Sequence, residues 1–176
     1  MTMREIVGKL IDMNNANNLT DDNLRPVVEY QVTDHYSKPM MQVASKLKAL
    51  GMDNEAERVI KQINLINSGS KEMLNELGRE NVKRAEKIER SMVGHGRSGY
   101  IPTGNLMRSI KSHTLTDGRV QVYPEATTKK GTEYGGFVEY GTRKHPTPEP
   151  FMYQSNKEMK SVIDREISDL MKGAGF

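Results

Sequence analysis

The sequence predicts an α+β protein, and three patterns support that class. Apolar residues recur every three or four positions through much of the first 92 residues, which is the spacing of an amphipathic helix. Between residues 109 and 123 the apolar period becomes two, as in a half-buried strand. Helical spacing returns after Pro150. We therefore expect an N-terminal helical segment, then a small domain with a long helix, an antiparallel β-hairpin and a C-terminal helix.

Two short helices are predicted within the first 36 residues. Thr2 and Glu5 have the spacing of a capping box, and apolar residues at helical intervals follow until the Asn-rich run 14–18. Polar and acidic residues at 20–23 mark a second helix start, because such side chains suit the positive end of a helix. This second helix should extend to about Tyr36.

An αα-hairpin is predicted over residues 39–67. Gly51 ends the first apolar stripe, and glycine is the usual residue just beyond a helix end. The run Asn67-Ser68-Gly69-Ser70 has the composition of a linker. We therefore place a domain boundary there, between an N-terminal helical extension (1–69) and an α+β core domain (70–176).

A long helix is predicted over about residues 70–92. Within this segment a series of residues, which we call the seam, recurs every three or four positions. This spacing places their side chains on one face of a helix. The seam consists of Leu74, Leu77, Asn81, Ala85, Ile88 and Met92. Asn81 is its one polar member, and a polar side chain in a seam can set the register of packing at a cost in stability.

A β-hairpin is predicted after the long helix. Strands are expected over 109–116 and 119–123, and Asp117-Gly118 suits the φ > 0 positions of a two-residue type I′ turn. Residues 134–140 fit either a strand or a short helical turn, because Gly135-Gly136 makes the pattern ambiguous.

The remaining segment predicts a loop and a last helix. Three prolines within 141–150 indicate a rigid, extended loop, because proline fixes its own φ and restricts the residue before it. The last helix should begin at Pro150, which is favourable in the first turn.

Composition excludes several classes of protein. The 176 residues contain no Cys, so disulfides, Cys-ligated metals and Cys nucleophiles are ruled out. The four histidines lack metal-ligand spacing, and no hydrolase or nucleotide-binding motif is present. No apolar run approaches the roughly 18–20 residues of a membrane-spanning helix. We therefore expect no enzymatic activity, no catalytic residue, no cofactor, no metal and no membrane association.

Positive charge is concentrated in the middle of the chain. The net charge is +3, and residues 71–150 hold 14 basic and 10 acidic side chains. The basic residues within 79–111 include a run on the long helix, and one interpretation of this run is a surface for DNA. Acidic neighbours at helical spacing can pair with that run, so a solvated, salt-bridged helix face is the simpler interpretation.

The segment from Phe137 to Phe151 contains the candidate interaction residues. An aromatic run leads into a Gly-Thr pair, then into three basic or His residues and three prolines. We expect the aromatic rings to bury one face while the basic side chains project from a stiffened chain, which lowers the entropy lost on docking. A rigid connection with no partner is the alternative. The candidates are Phe137, Glu139, Tyr140, Gly141, Thr142, Arg143, Lys144, His145 and Phe151.

Three blocks of residues 70–172 resemble one phage family in order and spacing. They are Ile101-Pro102-Thr103-Gly104-Asn105-Leu106-Met107-Arg108-Ser109-Ile110, Tyr134-Gly135-Gly136-Phe137-Val138-Glu139-Tyr140-Gly141-Thr142, and Pro150-Phe151-Met152. These blocks are similar to the "P-x-x-TG-x-L-x-x-SI", "YAxFVEFGT" and "PFL" stretches of the HK97 gp10-like tail-completion or neck proteins. In this chain Pro102 directly precedes Thr103, which shortens the usual spacer. Residues 1–69 lie outside the resemblance.

The resemblance implies a structural virion protein that acts in tail completion or head–tail joining at the neck of a tailed bacteriophage. It implies a homo-oligomeric ring, with six or twelve copies, formed in the host cytoplasm during assembly. The implied neighbours are a stopper, a tail terminator, or the tail tube or sheath, with DNA passing through without sequence-specific contact. Two alternatives stay open: a DNA-binding module that uses residues 79–111, and an assembly chaperone absent from the finished particle.

Overall fold

The chain folds as an α+β protein in which helices pack on an antiparallel sheet. The computed structural model describes residues 5–11, 25–96 and 99–175. Its strands are β1 (Glu5–Ile11), β2 (Val27–Thr33), β3 (Ile110–Thr114) and β4 (Val120–Pro124). Its helices are α1 (Ser37–Ala49), α2 (Asp53–Met92), α3 (Asn105–Arg108), α4 (Gly135–Tyr140), α5 (Phe151–Glu158) and α6 (Lys160–Gly173). None of these helices is both long and apolar enough to span a lipid bilayer.

The two helices predicted at the N-terminus are wrong where the structure describes this region. Residues 5–11 and 27–33 form strands β1 and β2, which pair antiparallel from Glu5↔Thr33 to Ile11↔Val27. The β2 sequence is rich in Val, Tyr and Thr, whose branched or aromatic side chains favour a pleated surface. The predicted cap at Thr2 and the start signal at 20–23 lie outside the described residues.

The sheet has the strand order β1-β2-β4-β3, so an N-terminal strand lies beside the C-terminal hairpin. Val28 pairs with Val122 and Tyr30 with Val120 across the β2–β4 junction. Glu29 is buried there, and its carboxylate accepts hydrogen bonds from Arg119 at 2.9 Å and from Gln121 at 2.7 Å. Each half of the chain therefore contributes to one sheet.

Helix α2 is 40 residues long, about 60 Å, and it runs through the predicted linker at 67–70 without a break. The linker prediction is wrong. The Ser68 and Ser70 hydroxyls bond to carbonyls of the preceding turn, and a Cβ atom on Gly69 would lie 2.5 Å from Leu170 Cδ1, so glycine allows α6 to pack closely on α2 here. The division at residue 69 stays a prediction, although strands from both sides of it share one sheet.

The predicted seam of α2 is confirmed as the centre of the core. Leu74, Leu77, Asn81, Ala85 and Ile88 are buried, and Met92 packs beside them. At Gly78 a Cβ atom would lie 2.7 Å from Val120 Cγ1, so glycine allows α2 to approach the sheet closely. The cluster is completed by residues of the sheet and the C-terminal helices: Val28, Tyr30, Ile110, Val120, Val122, Phe151, Met152, Met159 and Val162.

The β-hairpin is confirmed, but its turn differs from the predicted one. Leu115 N–H donates to the Arg119 carbonyl at 2.8 Å, and Gly118 N–H donates to the Leu115 carbonyl at 2.9 Å. The loop therefore has three residues, and only Gly118 has positive φ, at +84°. This is a type I turn followed by a left-handed glycine, which Asp117 stabilises by accepting the Arg119 N–H at 3.1 Å.

The C-terminal half otherwise follows the prediction. Residues 135–140 form helix α4, which settles the strand-or-helix ambiguity, and 141–150 is a loop without regular structure. The predicted last helix is divided into α5 and α6 at Met159. Met159 N–H donates to Asn156 three residues earlier at 3.1 Å, which tightens the chain there, and its side chain is fully buried.

Candidate interaction site

The loop after α4 ends in a closed turn that presents two basic residues. Thr142 N–H donates to the His145 carbonyl at 2.8 Å, and His145 N–H donates to Thr142 Oγ1 at 3.0 Å. Arg143 and Lys144 occupy the tip of this turn and are exposed. We call residues 142–145 the basic turn. Its hydrogen bonds fix the positions from which the two cationic side chains project.

Gly141 is required for the entry into the basic turn. Its φ is +78°, and a Cβ atom there would lie 3.1 Å from the His145 carbonyl oxygen. Both observations exclude a larger residue without distortion. The structure therefore gives Gly141 and Thr142, two of the candidate interaction residues, the role of turn formers.

His145 does not project as expected. It is half-buried, and its ring lies 4.8 Å from the Tyr100 ring, centroid to centroid. The Tyr100 hydroxyl donates to the Phe137 carbonyl at 2.5 Å, which ties the same tyrosine to α4. Burial raises the pKa of Tyr100, so it remains a neutral donor. Tyr100 therefore joins α4 and the basic turn.

The predicted aromatic face is only partly buried. Phe137 and Tyr140 are both half-buried, while Val138 and Glu139 between them are buried. A six-residue helix in place of a strand changes which side chains share a face, because helical neighbours are three or four residues apart. Phe151 is fully buried in the main core, as expected for the anchor of the last helix.

Glu139 is buried and faces the protein interior. Its carboxylate accepts the Met152 N–H at 2.9 Å and the Tyr153 N–H at 2.8 Å, so it caps the N-terminus of α5 from a neighbouring helix. Burial raises its pKa to about 7, against the lowering effect of those two amides. Glu139 stabilises the position of α5 and contributes nothing to an exposed surface.

Glu149 is a second buried carboxylate, and the sequence analysis did not identify it. Its own N–H donates to the Val138 carbonyl at 2.9 Å, and its Oε2 accepts the Gly94 N–H at 3.0 Å. It therefore ties the end of the loop to α4 and to the end of α2. An acidic residue between two prolines is an ordinary loop pattern, so no sequence signal marked it.

The basic face of α2 is largely salt-bridged in its first part. Arg79 contacts Glu76 at 2.5 Å, and Lys83 contacts Glu80 at 2.6 Å. Such exposed pairs are typical of a solvated helix. Lys87 and Arg90 are exposed, and neither has an ion-pair partner among the residues that the structure describes.

The described parts of the chain contain no cluster of three His, Asp or Glu side chains arranged to bind a metal ion. Comparison with known proteins gives no guide to the site, because no protein-family model, curated protein or solved structure matches this chain.

Proposed function

We propose that the chain is a structural, non-catalytic subunit of a tailed bacteriophage, which completes the tail or joins head to tail at the neck. The three sequence blocks that resemble the HK97 gp10-like proteins suggest this role. The observation that carries it is the basic turn, in which two exposed cations are held by the Thr142–His145 hydrogen bonds. Such a preordered tip loses little entropy when it docks on an acidic surface of an adjacent neck or tail protein.

Exposed apolar side chains on the α1–α2 pair are compatible with assembly into a homo-oligomeric ring of six or twelve copies. α1 has only one buried residue, Ala44. Large apolar side chains of this region remain exposed: Met41, Val43, Leu50, Met52 and Leu65. Assembly subunits commonly cover such residues with neighbouring copies.

The charge-reversed variant Arg143→Glu with Lys144→Glu tests the docking role. It should fold as the wild type does, because both side chains are exposed, but it should fail to enter particles because like charges then face each other. The measurement is complementation of a phage that lacks this gene, with mass spectrometry of purified particles and circular dichroism of the variant. Absence of the wild-type chain from finished particles would instead favour an assembly chaperone.

A matched control is available in Lys129→Glu with Lys130→Glu. These two lysines are also adjacent, exposed and located in a hydrogen-bonded turn, where Gly131 N–H donates to Thr128. This control should complement normally. If both double variants complement equally well, the basic turn has no docking role.

Phe151→Ala should act through stability and not through docking. Phe151 is fully buried, and removal of a buried Phe side chain costs about 3–5 kcal/mol. We expect lower urea resistance in the purified subunit, with incorporation lost only to the extent that the protein unfolds. Wild-type stability of this variant would contradict the packing described above.

DNA binding is the second candidate, and Lys87 and Arg90 favour it, because both are exposed and have no ion-pair partner in the described part of the chain. A surface that contacts the DNA phosphates should bind duplex DNA of random sequence, with an affinity that falls steeply as the salt concentration rises. Lys87→Gln with Arg90→Gln should then weaken binding, measured by fluorescence anisotropy at several salt concentrations. Complementation by that variant at wild-type level would favour the structural role.

A further inference from the structure

Ile101 is the most exposed of the large apolar side chains in the described part of the chain, at 87%. It belongs to none of the buried clusters. An isolated exposed apolar residue is ordinary on a protein surface, but this one lies beside the basic turn.

The residues on both sides of Ile101 are anchored. Tyr100 contacts His145 of the basic turn and donates to α4. Pro102 packs at the end of α2, where a Cβ atom on Gly94 would lie 2.9 Å from Pro102 Cγ. A Cβ atom on Gly99 would lie 3.3 Å from His145 Nδ1, so the segment is in close contact with the turn. Ile101 is therefore held at the surface one residue from Tyr100, while Lys144 and Arg143 are one and two residues from the His145 that Tyr100 contacts.

The surface around Ile101 is positively charged. Arg143 and Lys144 are exposed, and no ion pair involves either of them among the described residues. The two acidic residues of the segment from Phe137 to Phe151, Glu139 and Glu149, are only 1% and 4% exposed. Their carboxylates bond to backbone amides and do not reach the surface.

We propose that Ile101, Arg143 and Lys144 form one docking surface, whose occupant is a neighbouring protein with an apolar pocket bordered by carboxylates. The inference rests on the proposed function, because that neighbour belongs to the phage particle. In a protein–protein interface, an apolar anchor that fills a pocket of the partner is commonly bordered by a rim of polar and charged residues. Duplex DNA is a poorer fit, since phosphates would contact the two cations and leave Ile101 without a role.

The test is Ile101→Ser, with Tyr153→Ser as the control. Tyr153 is 53% exposed, lies on α5 outside the α1–α2 pair, and belongs to neither buried cluster. Each variant is produced from a plasmid during infection by a phage that lacks the gene. We measure copies of the chain per purified particle by quantitative mass spectrometry. Urea unfolding and binding to a 30-base-pair random duplex are measured on the purified proteins.

We expect Ile101→Ser to unfold like the wild type and to reduce incorporation about tenfold, while Tyr153→Ser enters normally. Ile101→Leu should restore incorporation, and neither serine variant should alter DNA binding. Equal incorporation of Ile101→Ser and wild type would overturn the docking surface and leave the proposed function intact. Weaker DNA binding by Ile101→Ser, or an equal loss with Tyr153→Ser, would also overturn it. Absence of the wild-type chain from particles would overturn both proposals.

Discussion

Glu139 joins two helices through a single buried carboxylate. It belongs to α4 and accepts two backbone amides from the first turn of α5. The sequence indicated that this residue was unusual, because it lies in a dense aromatic and glycine run. Its function could not be read from that run, since its hydrogen-bond partners are 13 and 14 residues further along the chain.

The raised pKa of Glu139 predicts that stability falls as the pH rises. The unfolded carboxyl titrates near pH 4.5 and the folded one near 7, so between these values the unfolded state loses its proton first. The contribution is complete below pH 4.5 and is lost by about pH 7, an effect of about 3 kcal/mol. Glu89, whose pKa burial also raises, should add to the same trend.

Glu139→Gln should therefore reduce this pH dependence, since the amide does not ionise in the window. The measurement is urea unfolding from pH 4.5 to 8. The variant should also lose one hydrogen bond at every pH, because its NH₂ group faces a backbone donor. Glu72→Gln, at an exposed position, is the control. An unchanged pH profile in Glu139→Gln would show that another group causes the trend.

Asn81 provides the second prediction at the residue scale. It is fully buried, its Nδ2 donates to the Tyr30 hydroxyl, and its Oδ1 accepts the Ser155 hydroxyl at 2.5 Å. Asn81→Leu should destabilise the protein by about 2–4 kcal/mol, because two buried hydroxyls lose their partners. Adding Tyr30→Phe and Ser155→Ala removes those hydroxyls and should recover part of the loss in chemical denaturation. A triple variant less stable than Asn81→Leu would contradict this account.

At the element scale, the hairpin turn gives a test that isolates backbone conformation. Gly118 has φ +84°, and a Cβ atom there would meet nothing within 4 Å. Gly118→Val should therefore cost about 1–2 kcal/mol through backbone strain alone. Gly118→Asn should cost less, because Asn tolerates left-handed backbone better. Equal thermal stability of the Val and Asn variants would show that the turn adopts another conformation.

The elements that the sequence predicted correctly are those with a long periodic signal or specific turn chemistry. The α2 seam over 74–92 has six members at regular helical spacing, so its face and its end at Met92 were both predictable. The segments at 5–11 and 27–33 are only seven residues each, and apolar residues at such a length fit either period. β2 pairs with β4, whose residues follow more than 85 positions later in the chain, and β1 in turn pairs with β2, so no local pattern encodes either strand.

In the candidate interaction site, too, contacts between distant parts of the chain could not be predicted from the local sequence. Glycine, proline and basic residues predicted a rigid loop with exposed Arg143 and Lys144. The burial of His145 against Tyr100 depends on contact between segments 45 residues apart, so the sequence predicted its exposure wrongly.

At the scale of the whole molecule, the sheet joins the two parts of the chain that the predicted boundary at residue 69 separates. β2 lies between β1 and β4, and its Val28 and Tyr30 are fully buried in the main core. A chain of residues 70–176 would lose both side chains. It would also leave unpaired the backbone N–H and C=O groups of β4 that bond to β2. An exposed strand edge of this kind is a template for aggregation.

We therefore expect residues 70–176 alone to aggregate or to unfold without a cooperative transition. Residues 25–176 should instead retain cooperative unfolding, because that chain keeps β2, Tyr30 and the hydrogen bond to Asn81. Among the described elements it loses the edge strand β1 alone. The measurements are sedimentation velocity and urea denaturation followed by circular dichroism, at the same protein concentration for both chains. If the 70–176 chain is monomeric and unfolds cooperatively, the domain boundary at residue 69 is correct. The core of residues 70–176 is then stable without β2. If neither chain unfolds cooperatively, β1 is needed as well. In that case β2 keeps its register on β4 only when β1 is paired with its other edge.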